Sequence, residues 1–459
     1  MTLPPALRTD FYQLTMAVGY LRQKMAHQPV VCEAFVRRLP KHRGFLLLAG
    51  LARVVAYMKE LRFAPEHVAY LKEHPSLAAA LDADTEQALL DFAFEGDVWA
   101  MPEGTVAFAN EPLIRVQAPL WQAQMVETSL LSMLNHSTMV ASKAARIVAA
   151  ARGAGVMEFG TRRTHDEAAI DAARAAYLAG CVGTSNVEAG YRHGVPVYGT
   201  AAHMWTMSHP SEAEAFDSYL AVYPQPSTLL VDTYDTLDGT RRACEAARRA
   251  GDPAYLSGVR VDCGLLEGDD VPTGICRKMR EVLDAEGFSH TKIIVSGDMN
   301  EYRMGKLLDA GEPIDAFGVG TKLVASPDAP SLSGVYKIVQ VGLGDDARPV
   351  LKLSPGKLSY PGAHQVYRRF EGGKIAGDLL ALATEEGHPG APMLQPVMKQ
   401  GEVVEGLELD DLAAVRTRAA EQMASLPDGA LLADEAALTV APSPALEKLT
   451  KETAAKFGA

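Results

Sequence analysis

Between residues 156 and 321 a short apolar run recurs seven times, each followed by Gly or an acidic residue and then by a stretch of helical character. The runs are VMEFG (156–160), YLAGCVGTS (177–185), VPVYGTAAH (195–203), TLLVDTYD (228–235), SGVRVDCG (257–264), KIIVSGDM (292–299) and IDAFGVGT (314–321). Short continuous apolar runs read as strands buried on both faces, and their alternation with helices implies parallel βα units. Seven such units without a long interruption predict a closed or nearly closed βα barrel rather than an open sheet. Three intervening helical stretches end in Gly251, Gly287 and Gly311, which suits a left-handed C-cap. In such barrels the chemistry gathers at the C-terminal strand ends, where the βα loops converge. Every polar or Gly-rich cluster of these runs falls at such an end.

The flanks have a different texture. FEGDVWAMPEGTVAFANEPLIRVQAPL (94–120) reads as three short strands with a turn at Pro102-Glu103-Gly104, followed by a helical stretch over about 121–152. Beyond the barrel, VYKIVQV, PVLKLS and HQVYRRFEGGKIAGDLLAL read as strands, residues 407–424 as a helix, and the Ala-rich stretch from about 429 as partly ordered decoration. The expected architecture is α/β: a parallel βα barrel of about seven strands, with an attached β-rich α+β domain built from the N- and C-terminal flanks. The expected divisions are 1–150, 151–335 and 336–459. At 459 residues the chain is too long for a single core.

Composition narrows the function classes. A net charge of −13 argues against a nucleic-acid partner, which requires a basic face. No apolar run nears the roughly 20 residues that span a bilayer, and the opening MTLPPALRTDFYQL lacks the pattern of a secretory signal, so a cytoplasmic protein is expected. Cys32, Cys181, Cys244, Cys263 and Cys276 are odd in number and lack CxxC spacing, which suits reduced structural thiols rather than a disulfide framework or a zinc site.

Candidate site residues follow from the strand ends. SGDMN (296–300) and FGVGT (317–321) close the last two strands, where phosphate sites commonly lie, and Gly297, Gly318 and Gly320 would let backbone N–H groups approach phosphate oxygens. Each Gly alone also reads as an ordinary turn. Asp232 and Asp262 each follow a buried run; they suit either a ribose hydroxyl or a metal-bound water, or else a helix N-cap. Arg162 and Arg163 follow the first strand and Arg260 precedes Asp262, offering planar forks for carboxylate or phosphate, though a lone Arg is usually solvated. His203 ends the third run.

The chain resembles the nicotinate phosphoribosyltransferase family, type II phosphoribosyltransferases, through TDFYQLTM (9–16), EGTVAFANEPLIRV (103–116), EFGTRR (158–163), GTSNV (183–187), GTAAH (199–203), LLVDTYDTL (229–237), VRVDCG (259–264), SGDMNEY (296–302) and DAFGVGT (315–321). The order is unbroken from about residue 8 to about 424. The resemblance implies an α/β barrel with a β-rich domain, and an enzyme of NAD biosynthesis that joins nicotinate to phosphoribosyl pyrophosphate, using ATP and Mg²⁺. It implies that Phe159, with Tyr12 of a second subunit, sandwiches the pyridine ring, and that Arg162 and Arg260 face the nicotinate and ribose-phosphate region. Gly297, Asp298, Gly318 and Gly320 would hold the 5′-phosphate and ribose, and Asp232 and Asp262 would serve the ribose and metal–pyrophosphate side, with no direct metal ligand. Arg37 would add a contact across a homodimer with shared active sites. His203 matches the histidine that family members phosphorylate. Ser185 stands where nicotinamide-using relatives carry an acidic residue. The chain departs from the pattern at Met204, where Ser is common, at Cys263 in the DSG-type motif, and at Leu265, where an acidic residue is replaced and Asp269 and Asp270 stand only nearby. These departures keep two alternatives open: a paralogue acting on another base such as nicotinamide, and a catalytically silent nucleotide-binding relative.

Overall fold

The computed structural model describes residues 4–354, 359–436 and 438–456. It divides into two compact units, Met1–Ser142 with Asp328–Ala459, and Lys143–Pro327.

The first unit is built around a seven-stranded antiparallel sheet. Its order is Arg348–Pro349, Gly334–Val341, Pro29–Val36, Pro112–Pro119, Asp97–Ala100, Gln395–Lys399 and Glu402–Val403. N- and C-terminal flanks therefore interleave in one sheet, as the sequence implied. The inner strand PVVCEAFV is buried from Val30 onward and has a partner on both edges. Its one charge, Glu33, accepts the His364 backbone N–H at 2.8 Å and lies 2.6 Å from His364 Nδ1. His364 opens a strand of a second, four-stranded sheet, ordered Ala391–Pro392, His364–Glu371, Lys374–Leu382 and Val440–Pro442.

Some expectations shift here. Of PVLKLS only Pro349 belongs to a strand, and residues 355–358 beyond it lie outside the described chain. The predicted helix at 407–424 begins at Leu412, where Asp411 accepts the Ala414 N–H. The C-terminal stretch is not decoration. Val440–Pro442 pairs in parallel with Lys374–Leu382, and the helix Pro444–Ala455, capped by Ser443, buries Leu446 completely.

The second unit is the parallel α/β body. Its six strands are Gly155–Glu158, Gly183–Thr184, Ser227–Leu230, Leu256–Val261, Lys292–Val295 and Ala316–Val319, hydrogen-bonded in the order second, first, sixth, fifth, fourth, third. The predicted run at 195–203 contributes a single parallel bridge, Thr184 to Val197. The sheet curls into a near-barrel, with no ladder among the described residues between Val197 and the third strand. Gly251, Gly287 and Gly311 all take left-handed φ values of 90°, 79° and 72°, ending the three helices where the sequence placed their caps.

One buried ionic cluster braces this unit. Glu301 begins the helix Glu301–Asp309 directly after SGDMN and accepts from Lys143 Nζ at 2.7 and 2.8 Å and from Arg146 Nε at 3.4 Å. All three side chains are at most 3% exposed. Removing one member leaves buried charge uncompensated, at a cost of about 3–5 kcal/mol. Glu301→Ala is expected to lose that much in urea unfolding; an unchanged midpoint and slope would show that the cluster is not stabilising.

Candidate active site

A barrel of this kind is ordinarily filled by layers of bulky branched side chains. Here glycine occupies several strand positions. A Cβ at Gly318 would sit 2.5 Å from the Phe159 ring, one at Gly258 2.8 Å from Thr228 Oγ1, and one at Gly155 3.6 Å from Ala316 Cβ; at Gly183 it would strike the Tyr198 ring. Phe159, Thr228, Ala316 and Tyr198 all line one cavity of about 850 Å³ bounded by residues from every strand of the sheet or their flanks. At Gly318 and Gly183 the missing side chains make room for the Phe159 and Tyr198 rings that line the cavity, whose size falls within the ~300–1,000 Å³ typical of ligand pockets.

Phe159 leaves the first strand half-buried, its amide donating to Val319 O at 2.9 Å. Its ring lies against Gly318, with the Arg260 guanidinium carbon 5.8 Å from the ring centroid. One face of a flat, aromatic-walled slot is thereby built. Behind it, Glu158 is buried and accepts from Thr184 Oγ1 at 2.5 Å and from the Gly160 N–H, while its carbonyl accepts from Ser185 N at 2.9 Å. Burial pushes the Glu158 carboxyl above its ordinary value. Glu158 thus pins the loop after Phe159 to the loop after the second strand. In consequence Ser185 Oγ comes 3.4 Å from Thr161 Oγ1, beside the turn Thr161–Arg163 on which Arg162 is exposed.

The polar wall is a continuous network across the third, fourth and fifth strands. Arg260 donates through Nε to Ser296 Oγ at 3.0 Å and through Nη1 to Thr200 Oγ1 at 2.6 Å, and its Nη2 lies 3.5 Å from Asp262 Oδ2. Ser296 Oγ in turn donates to Asp262 Oδ1 at 2.6 Å. His203 opens the short helix His203–Met207, with Nδ1 3.1 Å from Thr233 Oγ1 and Nε2 4.0 Å from Asp262 Oδ2. Asp232, 7% exposed, accepts on Oδ2 from the backbone N–H groups of Asp262 (2.7 Å) and Cys263 (2.9 Å) and from Cys263 Sγ (3.1 Å). Its Oδ1 is buried without a hydrogen-bond partner. Neither Asp232 nor Asp262 caps a helix; that role falls to Asp235, which accepts from Leu237 and Asp238 N–H.

Gly297 has φ of 91°, and a Cβ there would collide with the Asp262 carbonyl. Asp298 beside it is also left-handed, at φ 48°, and exposed. Gly320 passes close under Phe159, where a Cβ would sit 2.9 Å from its carbonyl oxygen. The sequence-derived candidates Phe159, Ser185, His203, Asp232, Arg260, Asp262, Gly297, Gly318 and Gly320 therefore share contacts or neighbouring strand ends. Tyr12 and Arg37 belong to the other compact unit: Tyr12 is exposed on the helix Phe11–Arg22, and Arg37 follows the strand Pro29–Val36 with its guanidinium 5.6 Å from the Phe35 ring centre. Met204 is 81% exposed. Leu265 is buried, and Asp270 is turned to Arg303 (3.1 Å) and Lys306 (3.6 Å). Ser296, Thr200 and Glu158 were not singled out in the sequence, although they stand inside SGDMN, GTAAH and EFGTRR.

For a hard divalent cation the fit is partial and specific. Among the described residues no group of three or more His, Cys, Asp or Glu could enclose one. The orphaned Asp232 Oδ1 is an oxygen suited to a metal-bound water, which agrees with Mg²⁺ held chiefly by phosphate oxygens and water.

Comparison with known proteins bears on the whole chain. Residues 7–135 match the nicotinate phosphoribosyltransferase N-terminal domain, and residues 154–353 match the nicotinate phosphoribosyltransferase family. The chain is 41% identical over 423 residues to nicotinate phosphoribosyltransferase pncB2 of Mycobacterium tuberculosis, covering 92% of this chain and 88% of that protein. It is 37% identical over 387 residues to the nicotinate phosphoribosyltransferase of Bacillus subtilis, covering 83% and 77%. The crystal structure of human nicotinic acid phosphoribosyltransferase superposes with a TM-score of 0.83 at 27% identity, covering 97% of this chain and 99% of that one. With matching sequence along both units and a matching fold, the chain belongs to the nicotinate phosphoribosyltransferase family.

Proposed function

We propose that this chain joins nicotinate to 5-phosphoribosyl pyrophosphate, giving nicotinate mononucleotide and pyrophosphate in NAD biosynthesis, with ATP hydrolysis. The observation that carries the reading is the Phe159 ring laid against Gly318 at the cavity, with Arg260 beside it and Asp262 and Asp232 joined to Arg260 through the polar network. The pyridine ring stacks on Phe159, with its carboxylate toward Ser185, Thr161 and the Arg162 turn. Arg260, held by Thr200 and Ser296, faces the ribose-phosphate region. Gly297, Asp298, Gly318 and Gly320 take the 5′-phosphate and ribose. Asp232 and Asp262 serve the ribose and pyrophosphate side.

The reaction is displacement at the anomeric carbon. The C–O bond to pyrophosphate breaks as the pyridine nitrogen forms the new C–N bond, and positive charge builds on the ribose between these events. Asp232 and Asp262 lie on the side where that charge develops, so the chain acts by positioning and electrostatics rather than by a covalent sugar intermediate. Mg²⁺ bound to the pyrophosphate supplies neutralisation of the leaving group. ATP transfers its terminal phosphoryl group to a nitrogen of His203, releasing ADP, and hydrolysis later returns phosphate.

Pyrophosphate release from purified protein given nicotinate, phosphoribosyl pyrophosphate, Mg²⁺ and ATP tests the reaction itself; a folded chain that releases none with nicotinate is not this enzyme. In the same assay His203→Ala is expected to abolish ATP hydrolysis linked to turnover while leaving slower, ATP-independent synthesis. Hydrolysis continuing at the wild-type rate would end the phosphohistidine role.

The site is completed by Tyr12 and Arg37 of a second copy of the chain. The helix Phe11–Arg22 supports this: Phe11, Tyr12 and Met16 stand 42%, 48% and 38% exposed on it. Mixing inactive Tyr12→Ala with inactive Asp232→Ala protein is expected to restore activity through hybrid sites. No recovery under proven subunit exchange would refute the shared site.

Base selection rests on the neutral Ser185. A carboxylate placed there at about 4 Å from that of nicotinate repels it by about 4 kcal/mol at an effective dielectric near 20, before relaxation. Each ~1.4 kcal/mol is tenfold. Ser185→Asp is therefore expected to lower kcat/KM for nicotinate at least ~tenfold and to raise the nicotinamide-to-nicotinate ratio. An unchanged ratio would mean that Ser185 does not face the base.

A further inference from the structure

Among the five cysteines, none disulfide-bonded, four are buried and only Cys263 is exposed. It also occupies the position at which the chain departs from the family's DSG-type motif. Its surroundings give the substitution a definite consequence. All three donors to Asp232 converge on one oxygen, Oδ2: two backbone N–H groups and the Cys263 thiol. The other oxygen, Oδ1, is buried and has no partner. A buried carboxylate oxygen left without a donor is costly in the absence of a ligand. The arrangement therefore presents Oδ1 to a ligand and holds Oδ2 in place. The two amides fix where the Oδ2 atom sits. The thiol adds a side-chain donor, approaching from the exposed loop, and so opposes tilting of the carboxylate plane about the Cβ–Cγ bond, which would turn the partnerless oxygen away.

We infer that Cys263 is a positioning residue that orients Asp232, so that Oδ1 faces a ribose hydroxyl or a metal-bound water of the phosphoribosyl pyrophosphate complex. The inference rests on the reading above in which Asp232 serves that substrate. Serine keeps a donor at this position and alanine removes it, so the pair separates hydrogen bonding from bulk. The thiol is a weak donor and the two amides remain, which confines the effect to moderate size.

The test compares Cys263→Ala, Cys263→Ser and Asp232→Asn in the full chain, with Mg²⁺, varying phosphoribosyl pyrophosphate and nicotinate separately. Cys263→Ala is expected to raise KM for phosphoribosyl pyrophosphate about tenfold, the scale of a hydrogen bond to a charged group, with KM for nicotinate and Tm unchanged. Cys263→Ser is expected to restore most of that loss. If Cys263→Ala leaves phosphoribosyl pyrophosphate kinetics intact while Asp232→Asn impairs them, the inference is overturned and the reading of Asp232 stands. If serine is as poor as alanine, the thiol acts through packing and the inference is again overturned. If Asp232→Asn itself leaves this substrate unaffected, the underlying reading of Asp232 fails, whatever the cysteine variants do.

Discussion

Arg260 is the hinge on which the site turns. A guanidinium this enclosed, with a side chain only 15% exposed, needs its donors satisfied, and two strand ends and the loop at 198–202 supply the acceptors: Ser296, Asp262 and Thr200. Meeting that demand fixes the rest. Ser296 accepts from Arg260 and directs its own proton to Asp262. Asp262 then stands near His203, while its backbone N–H is committed to Asp232. A fully connected polar network of this sort is rigid, because moving any member strands another without a partner. The parallel sheet makes the network possible by bringing the ends of distant segments side by side.

The hollow lumen is the complementary constraint. Phe159 can lie flat only because Gly318 has no Cβ, and Gly320 keeps the backbone clear of the Phe159 carbonyl. Both residues belong to one run, FGVGT, so a single strand end makes room for the ring and shapes the turn after it. Filling these positions with alanine would improve packing in an ordinary barrel core. Here it would displace the aromatic wall, so packing is sacrificed where ligand access requires it.

The parallel strands were legible because strands buried on both faces leave continuous apolar runs, and their ends were legible because polar residues interrupt those runs abruptly. The helix ends at Gly251, Gly287 and Gly311 were equally plain, since a left-handed residue after a helix selects glycine. Two features were harder. Ser296 and Thr200 give no spacing signal, and only register reveals them: Val295 pairs with Val261, which sets Ser296 beside Asp262. Gly318 also read as a turn residue, yet it stands within a strand, as do Gly183 and Gly258, where glycine marks a close approach. The C-terminal strand at 440–442 escaped notice for a different reason. Three residues pairing at an edge carry too little periodicity to stand out from an Ala-rich stretch.

The electrostatics of the chain give the departures from the family pattern a physical meaning. A protein of net charge −13 must bind a polyanionic sugar phosphate. Repulsion is long-ranged unless local cations and a divalent ion counter it. Leu265 puts an apolar, buried side chain where an acidic one is common in the family. Asp270, the nearby acid that might have compensated, is paired instead with Arg303 and Lys306. The same loop keeps Glu267 and Asp269 exposed, so Leu265 removes one negative charge from it and not all of them. Under the proposed function, the cation facing this acidic loop region is Arg260, which the polar network sets 3.5 Å from Asp262.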